Sequence, residues 1–538
     1  MKIIVLLFLI FTNIEALEVQ DFFKKKIIFN SSGIPIIRIG ISETKEPVIL
    51  KLLKDYQFKD LKAKKDEILT INYKITDRGE YTLWLILAKY PYKTVVDVNI
   101  YNKYLSHFLK KNKKVKVINV GNLSVVNGNI IDIRKQLLIF GPFKDEKEAE
   151  KIKLQLYLDF RLKSEFYAEV KTYPKSKIFL TSNNKTISFD NYLELNGDDF
   201  ELKNLEWGIN KKRKIDLQLR GKLFFTPNLK GELTVLNQLN LEELLKGIVP
   251  SEIFASAHIE ALKAQAVAAR TDILAKIGTR HFESPYQVCG NQHCQVYKGK
   301  IKEHKRTNRA IWLTHGEVLK DKDGLIDAYY SANSGGHTEN NENVWLSRKR
   351  ISLRGRDDFI NWEESGKFMI GINENNIRDF IDHPPKTYSS ENSFARKNVF
   401  RWKKKFTSYR LQIFVNNYFE KYKLNKKCKF KDLIGKGRGV SGRFMTILIK
   451  CKNPKNDFAI YGELQIRRFL RNLKSSMFYM NKRYNKNKQL TSISFIGGGW
   501  GHGVGMCQTG AIGMAEHNKS YKDILKHYYT DSELKKLY

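Results

Sequence analysis

The stretch GIVPSEIFASAHIEALKAQAVAAR, Gly247 to Arg270, constrains this chain's fold more than any other. Leu262, Ala266, Ala269, Ile273 and Ile277 recur at spacings of 4, 3, 4 and 4, one apolar stripe on a helix. Ala264, Ala266, Ala268 and Ala269 keep that helix slim, so neighbouring backbone can approach closely. The segment reads as a core helix. Glu252 precedes it, after Pro250 and Ser251, at what reads as a strand-to-helix junction. A carboxyl there is either a charge that complements the helix dipole or a group placed for chemistry.

Three further clusters bear on that choice. RHFESPYQVCGNQHCQVYKG places His281, Cys289, His293 and Cys294 within 14 residues. Two nitrogens and two sulfurs suit a closed, tetrahedral, structural zinc site. The spacing also admits two core cysteines or a disulfide. YYSANSGGHTE runs a strand into Ser334, Gly335, Gly336 and His337, where glycine allows positive φ and close approach to backbone N–H groups; a turn with a surface histidine is the alternative. FIGGGWGHGVGMCQTGAIGMAEHNKSYKDILKHYY holds six glycines in nine residues, Gly497 to Gly505, framing Trp500 and His502. Helices are expected from about Gln508 to before Asn518, and from Tyr521 after Ser520. No Lys-Ser/Thr follows the glycines, which excludes a phosphate loop, and no βαβ unit surrounds them, which excludes a dinucleotide site.

The 538 residues allow two to four domains, and a 42% hydrophobic content supplies a core. Lys and Arg number 95 against 57 Asp and Glu, a net +38, which favours polyanionic partners or reflects a Lys-, Asn- and Ile-rich composition. No arginine-rich block or zinc-finger spacing supports base reading. Met1 to Ala16, with Lys2 and the apolar run Ile3–Phe11, reads as a signal peptide, so export to periplasm, cell wall or cell surface is expected. No later stretch reads as transmembrane. Of the five cysteines, Cys428 and Cys451 lie in a β-rich stretch and could pair after export.

The expected organisation is α+β: a β-rich module over 17–88, a small α+β unit over 89–175, then one domain of mixed sheets over 187–537. In the small unit KQLLIFGPFKDEKEAEKIKLQLYLDF reads as strand, Gly-Pro turn and helix. Its phrase IFGPFKDEKEAEKIKLQL resembles the second half of a SPOR domain, a small sheet with helices that binds peptidoglycan glycan strands; an unrelated ferredoxin-like module fits as well. Residues 348–404, polar and irregular around DHPPKTYSSENS, read as a long surface excursion.

Five segments occur in order: LTVLNQLNLEELLKGIVPSE, EALKAQAVAAR, CGNQHCQVYKG, SANSGGHTE and GGGWGHGVGMCQTGAIGMAEHNKSYKDILKHYYTD. Together they resemble the SpoIID/LytB family over roughly Lys214 to Leu537. The resemblance implies cleavage of peptidoglycan glycan strands by a lytic transglycosylase, with the acid of Pro-Ser-Glu, Glu252, as catalytic residue. It implies structural zinc on Cys289, His293 and Cys294, with His281 as fourth ligand. Arg270, Ser334, Gly335, Gly336, His337, Trp500, His502 and Gln508 become the expected substrate contacts. The chain departs from the family pattern in IFASAHIEALK after Glu252, in RTDIL with Asp272, and in SANSGG. The rival reading, from the family's amidase enhancers, is a non-catalytic wall-binding protein that stimulates a cell-wall amidase. Nucleic-acid binding rests on charge alone, and the export signal opposes it.

Overall fold

Alternating apolar residues in the first 90 positions do form strands, and three of these strands pair with sequence roughly 100 to 200 residues away. The computed structural model describes residues 17–106, 108, 113–160, 162–183, 185–207, 213–345, 347–361, 363–368, 370–424 and 427–538. The expected signal segment, 1–16, lies outside the described residues. Pro35–Thr44 pairs antiparallel with Leu233–Asn240, which continues to Lys222–Pro227 and Leu193–Asn196. A second six-stranded sheet interleaves Val48–Leu52 and Ile68–Asp77 with Lys175–Ser182 and Phe200–Trp207. The stretch 17–88, expected as a module of its own, therefore shares both large sheets with residues 175–240.

Glu80–Pro91, also expected in that module, instead opens the small α+β unit. Its strands, Glu80–Pro91, Lys114–Val120, Lys135–Phe143 and Glu165–Thr172, alternate with the helices Val98–Tyr104 and Glu146–Phe160 as βαββαβ. The antiparallel sheet runs fourth, first, third, second, a ferredoxin-like arrangement. Gly141 and Pro142, expected as a turn, lie inside the strand Lys135–Phe143, because the register slips past them. Both faces of this sheet are covered. Leu83, Leu85, Leu138 and Phe140 meet its own helices. Trp84, Ile86, Leu137, Ile139 and Ala168, of opposite parity along each strand, join the main core.

The alanine-rich helix, Ile259–Lys276, sits at the centre of that main core. Every residue from Ala261 to Lys276 except Lys263 is buried, so the expected single stripe is in fact an entire buried surface. Small side chains make this feasible. The helices Leu241–Glu252, Lys305–Leu313, Gln508–Glu516 and Tyr521–Tyr528 and the strand Glu317–Asp321 all pack on it. The last two helices fall where the sequence places them, and Ser520 and Asp523 close a capping box on Tyr521–Tyr528.

Residues 348–404 are not a surface excursion. Phe359, Phe368, Ile372, Ile377 and Phe380 form a small core of their own with Met477 and Tyr479. Beyond them, residues 401–498 build an outlying lobe of two three-stranded sheets and the helices Ser408–Lys421 and Glu463–Phe469 around Phe406, Phe414, Phe478 and Phe495. Cys428 and Cys451 are disulfide-bonded there, with Cα atoms 5.2 Å apart.

Candidate functional site

Glu252 does not begin the alanine-rich helix. It ends the preceding one, Leu241–Glu252, and six residues separate it from Ile259. Pro250, which has no N–H to donate, sits in the last turn, and Ile253 leaves in extended conformation. A carboxylate at a helix C-terminus faces carbonyl oxygens, which disfavours its charge. Burial acts in the same direction and more strongly: it pushes the Glu252 carboxyl up to about 7, against the opposing pull of the Val296 N–H and of Lys276 and Lys298. The Val296 N–H donates to Glu252 Oε1 at 3.0 Å.

The carboxyl opens into a cleft floored by Ala332, Thr509 and Ile512. Phe254 stacks on Phe394 along one wall, ring centroids 4.9 Å apart and planes 19° from parallel, with the Arg396 guanidinium 5.4 Å from the Phe254 ring. Trp500 stands in the cleft 45% exposed, so its ring face is free for a flat, apolar-faced ligand such as a sugar. Gln508 lines the cleft and donates from Nε2 to the Glu252 carbonyl oxygen at 3.0 Å and to Gln265 Oε1 at 3.2 Å.

Behind Glu252 lies a buried polar layer. Gln295 bridges the Tyr330 hydroxyl and Asp272, and Lys276 pairs with Asp272 while donating to the Cys294 carbonyl oxygen at 2.8 Å. Asp272, a departure from the family pattern, thus anchors the loop that presents the Val296 N–H.

The two glycine motifs form one body. Asn333 and Trp500 exchange backbone hydrogen bonds at 2.9 and 3.1 Å. Gly335 and Gly499, both at positive φ, lie back to back. A Cβ on Gly335 would come within 2.9 Å of the Gly499 nitrogen, and one on Gly499 within 2.9 Å of the Gly335 nitrogen. Tyr330–Ser331 pairs in parallel with Met506–Cys507, and the Cys507 Sγ accepts from Ser334 N and Gly510 N.

Of the nine expected catalytic and substrate residues, the cleft unites Glu252, Trp500 and Gln508. Arg270 is fully buried. Its guanidinium forks onto Glu242 at 2.7 and 2.8 Å and donates to the Glu317 carbonyl oxygen, and Tyr538 also donates to Glu242. It is a core ion pair out of reach of a polymer. Ser334 is buried, donating to Asp358 and accepting from Gly336 N. Gly335 is packed against Gly499, and Gly336 against Phe380 and Thr387. His337 is buried, its Nδ1 2.7 Å from the Thr338 carbonyl oxygen. These four are the scaffold under the cleft. The His502 ring packs against Trp345, its Nδ1 accepting from Val504 N, and burial with nearby Arg467 and Arg443 pushes its pKa down to about 3. It is a neutral structural histidine outside the cleft. Phe254, Phe394 and Arg396 escaped the sequence reading. Phe254 stands two residues after Glu252, but Phe394 and Arg396 fall in the stretch read as surface.

His281, Cys289, His293 and Cys294 do converge, their ligand atoms all within 4.8 Å of one another. His281 Nε2 is 3.2 Å from Cys294 Sγ, and His293 Nδ1 is 3.7 Å from each sulfur. Both thiols are free and buried. Such separations match the edges of a tetrahedral mixed N/S site.

Residues 229–320 match the family described as Stage II sporulation protein, SpoIID, and residues 339–505 match a domain of unknown function, DUF8618. An uncharacterized protein of Brachyspira hyodysenteriae is 29% identical over 319 residues, 59% of this chain and 72% of its own. The amidase enhancer of Bacillus subtilis is 30% identical over 304 residues, 54% of this chain but only 40% of its own length. Stage II sporulation protein D of the same organism is 26% identical over 316 residues, 56% of this chain and 75% of its own. The SpoIID match spans Glu252, the alanine-rich helix and the Cys/His cluster, while the second match spans the wall of the cleft and the outlying lobe. With its acid-bearing helix end, alanine-rich core helix and paired glycine motifs assembled around one cleft, the chain carries a SpoIID-family domain and is similar beyond it to SpoIID and amidase-enhancer proteins.

Proposed function

We propose that this protein acts on the cell wall and cleaves peptidoglycan glycan strands as a lytic transglycosylase, with Glu252 as its single acid and base. The observation that carries the reading is a lone carboxyl, held near neutrality, in an aromatic cleft. Among the described residues that line the cleft, Glu252 is the one acid. Glycoside hydrolases mostly need a second carboxyl to activate water or form a covalent intermediate. An intramolecular attack needs only one. Protonated Glu252 gives its proton to the leaving glycosidic oxygen. The resulting carboxylate then takes the proton of the muramic acid 6-hydroxyl as that oxygen closes a 1,6-anhydro ring. A pKa near 7 serves both halves. The Val296 N–H fixes the carboxyl's orientation, Trp500 offers a sugar platform, and Gln508 holds the helix end in place.

His281, Cys289, His293 and Cys294 would hold zinc in a closed site, and the metal would supply rigidity. Val296 lies two residues beyond Cys294, so the cluster braces the N–H that aims Glu252. The Cys428–Cys451 disulfide suits the oxidising compartment expected of an exported protein. The helices of the described residues include none long and apolar enough to cross a membrane. A SPOR-like role for the small α+β unit lacks an open sheet face, since both faces are covered.

The amidase-enhancer relative favours a second reading, in which the protein binds glycan and stimulates an amidase without cutting. Digestion of purified glycan strands, with and without stem peptides, followed by mass spectrometry, separates the two. Anhydro-muramoyl ends with wild type and none with Glu252→Gln support the transglycosylase. Binding without cleavage by either protein overturns it.

A further inference from the structure

The positive charge is not spread evenly. Residues 401–498 carry 25 Lys and Arg against four Asp and Glu, whereas the other 440 residues carry 70 against 53. A compositional bias of the whole chain would load both parts alike. Three of the four acids in the lobe are committed to partners within it: Asp432 to Lys482, Asp457 to Lys450 and Glu463 to Arg467.

The excess is organised on a sheet. Arg401–Thr407, Leu490–Gly498 and Phe478–Tyr484 form three antiparallel strands, with Leu490–Gly498 in the middle. One face holds Trp402, Phe406, Ile493, Phe495 and Phe478 against the lobe's core. Strand alternation puts Lys403, Lys405, Ser494, Asn481 and Arg483 on the other. Register places Lys405, Ser494 and Asn481 in one row across it, and Ser492 beside Arg483 in the next. Arg378 flanks this face, stacked 4.3 Å from the Tyr479 ring and bonded to Asn481 at 3.1 Å. Lys403, Lys405 and Arg483 are exposed and have no acidic partner among the described residues. Exposed Tyr484 ends one strand, and exposed Tyr409 lies in the first turn of the helix that follows another.

Two of the strands that carry this face lead out of the cleft, and at that end Arg401, Tyr479 and Ile496 of the same face pack against the helix Ile377–Asp382. The strand Arg401–Thr407 begins two residues after Val399, and Leu490–Gly498 ends two residues before Trp500. Val399 and Trp500 both line the cleft. From that junction Arg401–Thr407 extends roughly 20 Å at strand rise. We propose that the basic face of the 401–498 lobe is an extended subsite for the glycan strand leaving the Glu252 cleft, recognising by charge the carboxylates that the strand and its stem peptides carry. The choice of occupant rests on the glycan reading of the cleft. A phosphodiester wall polymer or a nucleic acid shares the negative charge but is not the ligand proposed for the cleft from which these strands lead.

The test measures binding separately from cleavage. The full chain carrying Glu252→Gln is co-sedimented with sacculi stripped of secondary wall polymers, with and without Lys403→Glu, Lys405→Glu and Arg483→Glu together. A Lys403→Gln, Lys405→Gln, Arg483→Gln version guards against misfolding in the reversed one, and circular dichroism checks both. Expected are about tenfold weaker binding for the reversed protein at physiological salt, an intermediate loss for the neutral one, and a shallower salt dependence for both. Blocking the carboxylates of the sacculi should weaken the parent protein comparably. Unchanged binding in either variant, or undiminished binding to carboxyl-blocked sacculi, overturns the proposal. So does tighter binding to single-stranded DNA or to a purified phosphodiester polymer than to the stripped sacculi. Because every protein in the comparison is Glu252→Gln, failure of the cleavage reading leaves this result intact.

Discussion

Replacing Glu252 by Gln should stabilise the fold above neutral pH while removing activity. A Glu carboxyl in the unfolded chain titrates at about 4.3, and burial raises it to about 7 in the fold. Between those values the folded protein holds a proton that the unfolded chain has released, so stability falls as pH rises. The loss begins above about pH 4 and levels off above pH 7. At about 1.4 kcal/mol per pKa unit, ionising Glu252 costs the fold about 4 kcal/mol at pH 8. Gln is neutral throughout, and its Oε1 can still accept from Val296 N, so it escapes this cost. Urea unfolding of both proteins at pH 5 and pH 8 tests the account. The variant should be more stable by up to that amount at pH 8 and close to wild type at pH 5, and glycan digests should contain no anhydro ends. A variant less stable than wild type at pH 8, or a difference that does not change with pH, would refute the claim that the site holds its acid strained toward the neutral form.

Three further outcomes are expected. If protonated Glu252 is the acid, kcat/KM for glycan cleavage should fall about tenfold per pH unit above pH 7; a flat profile through pH 8.5 removes Glu252 from that role. Arg270→Met should destabilise the protein by about 4 kcal/mol, because Glu242 stays buried without its partner, and adding Glu242→Gln should recover much of that; a stable Arg270→Met protein that is merely inactive would make Arg270 a substrate contact after all. Elemental analysis should find one zinc per chain, lost in Cys294→Ser together with cooperative melting of the core; a full complement of zinc in that variant would contradict the four-ligand site.

Local sequence fixed the pieces whose physics is local. The helix Ile259–Lys276 follows from apolar spacing, and Gln508–Glu516 and Tyr521–Tyr528 from their flanking residues and caps. The Cys/His cluster was legible because its four ligands fall in 14 residues, and Glu252 because a recognisable motif surrounds it. Whatever depends on long-range pairing was not legible. Strand pairing carries no mark of its partner, so nothing in Pro35–Thr44 announces Leu233–Asn240. Residues 348–404 looked like surface because their apolar residues follow no helical or strand period, yet they supply Phe394 and Arg396 to the cleft.

The division for the site itself has the same cause. The sequence by itself determined that a carboxyl, two glycine motifs and a metal-type cluster exist, because each is a matter of residue type and short spacing. Only the tertiary structure decided which of these meet. It took Arg270 into a core ion pair and Ser334 and His337 into a buried scaffold, left Trp500 in the open, and put Glu252 at a helix end with one N–H upon it. Burial and neighbours, not residue type, set whether a side chain binds, braces or moves a proton, and both are products of packing between distant segments.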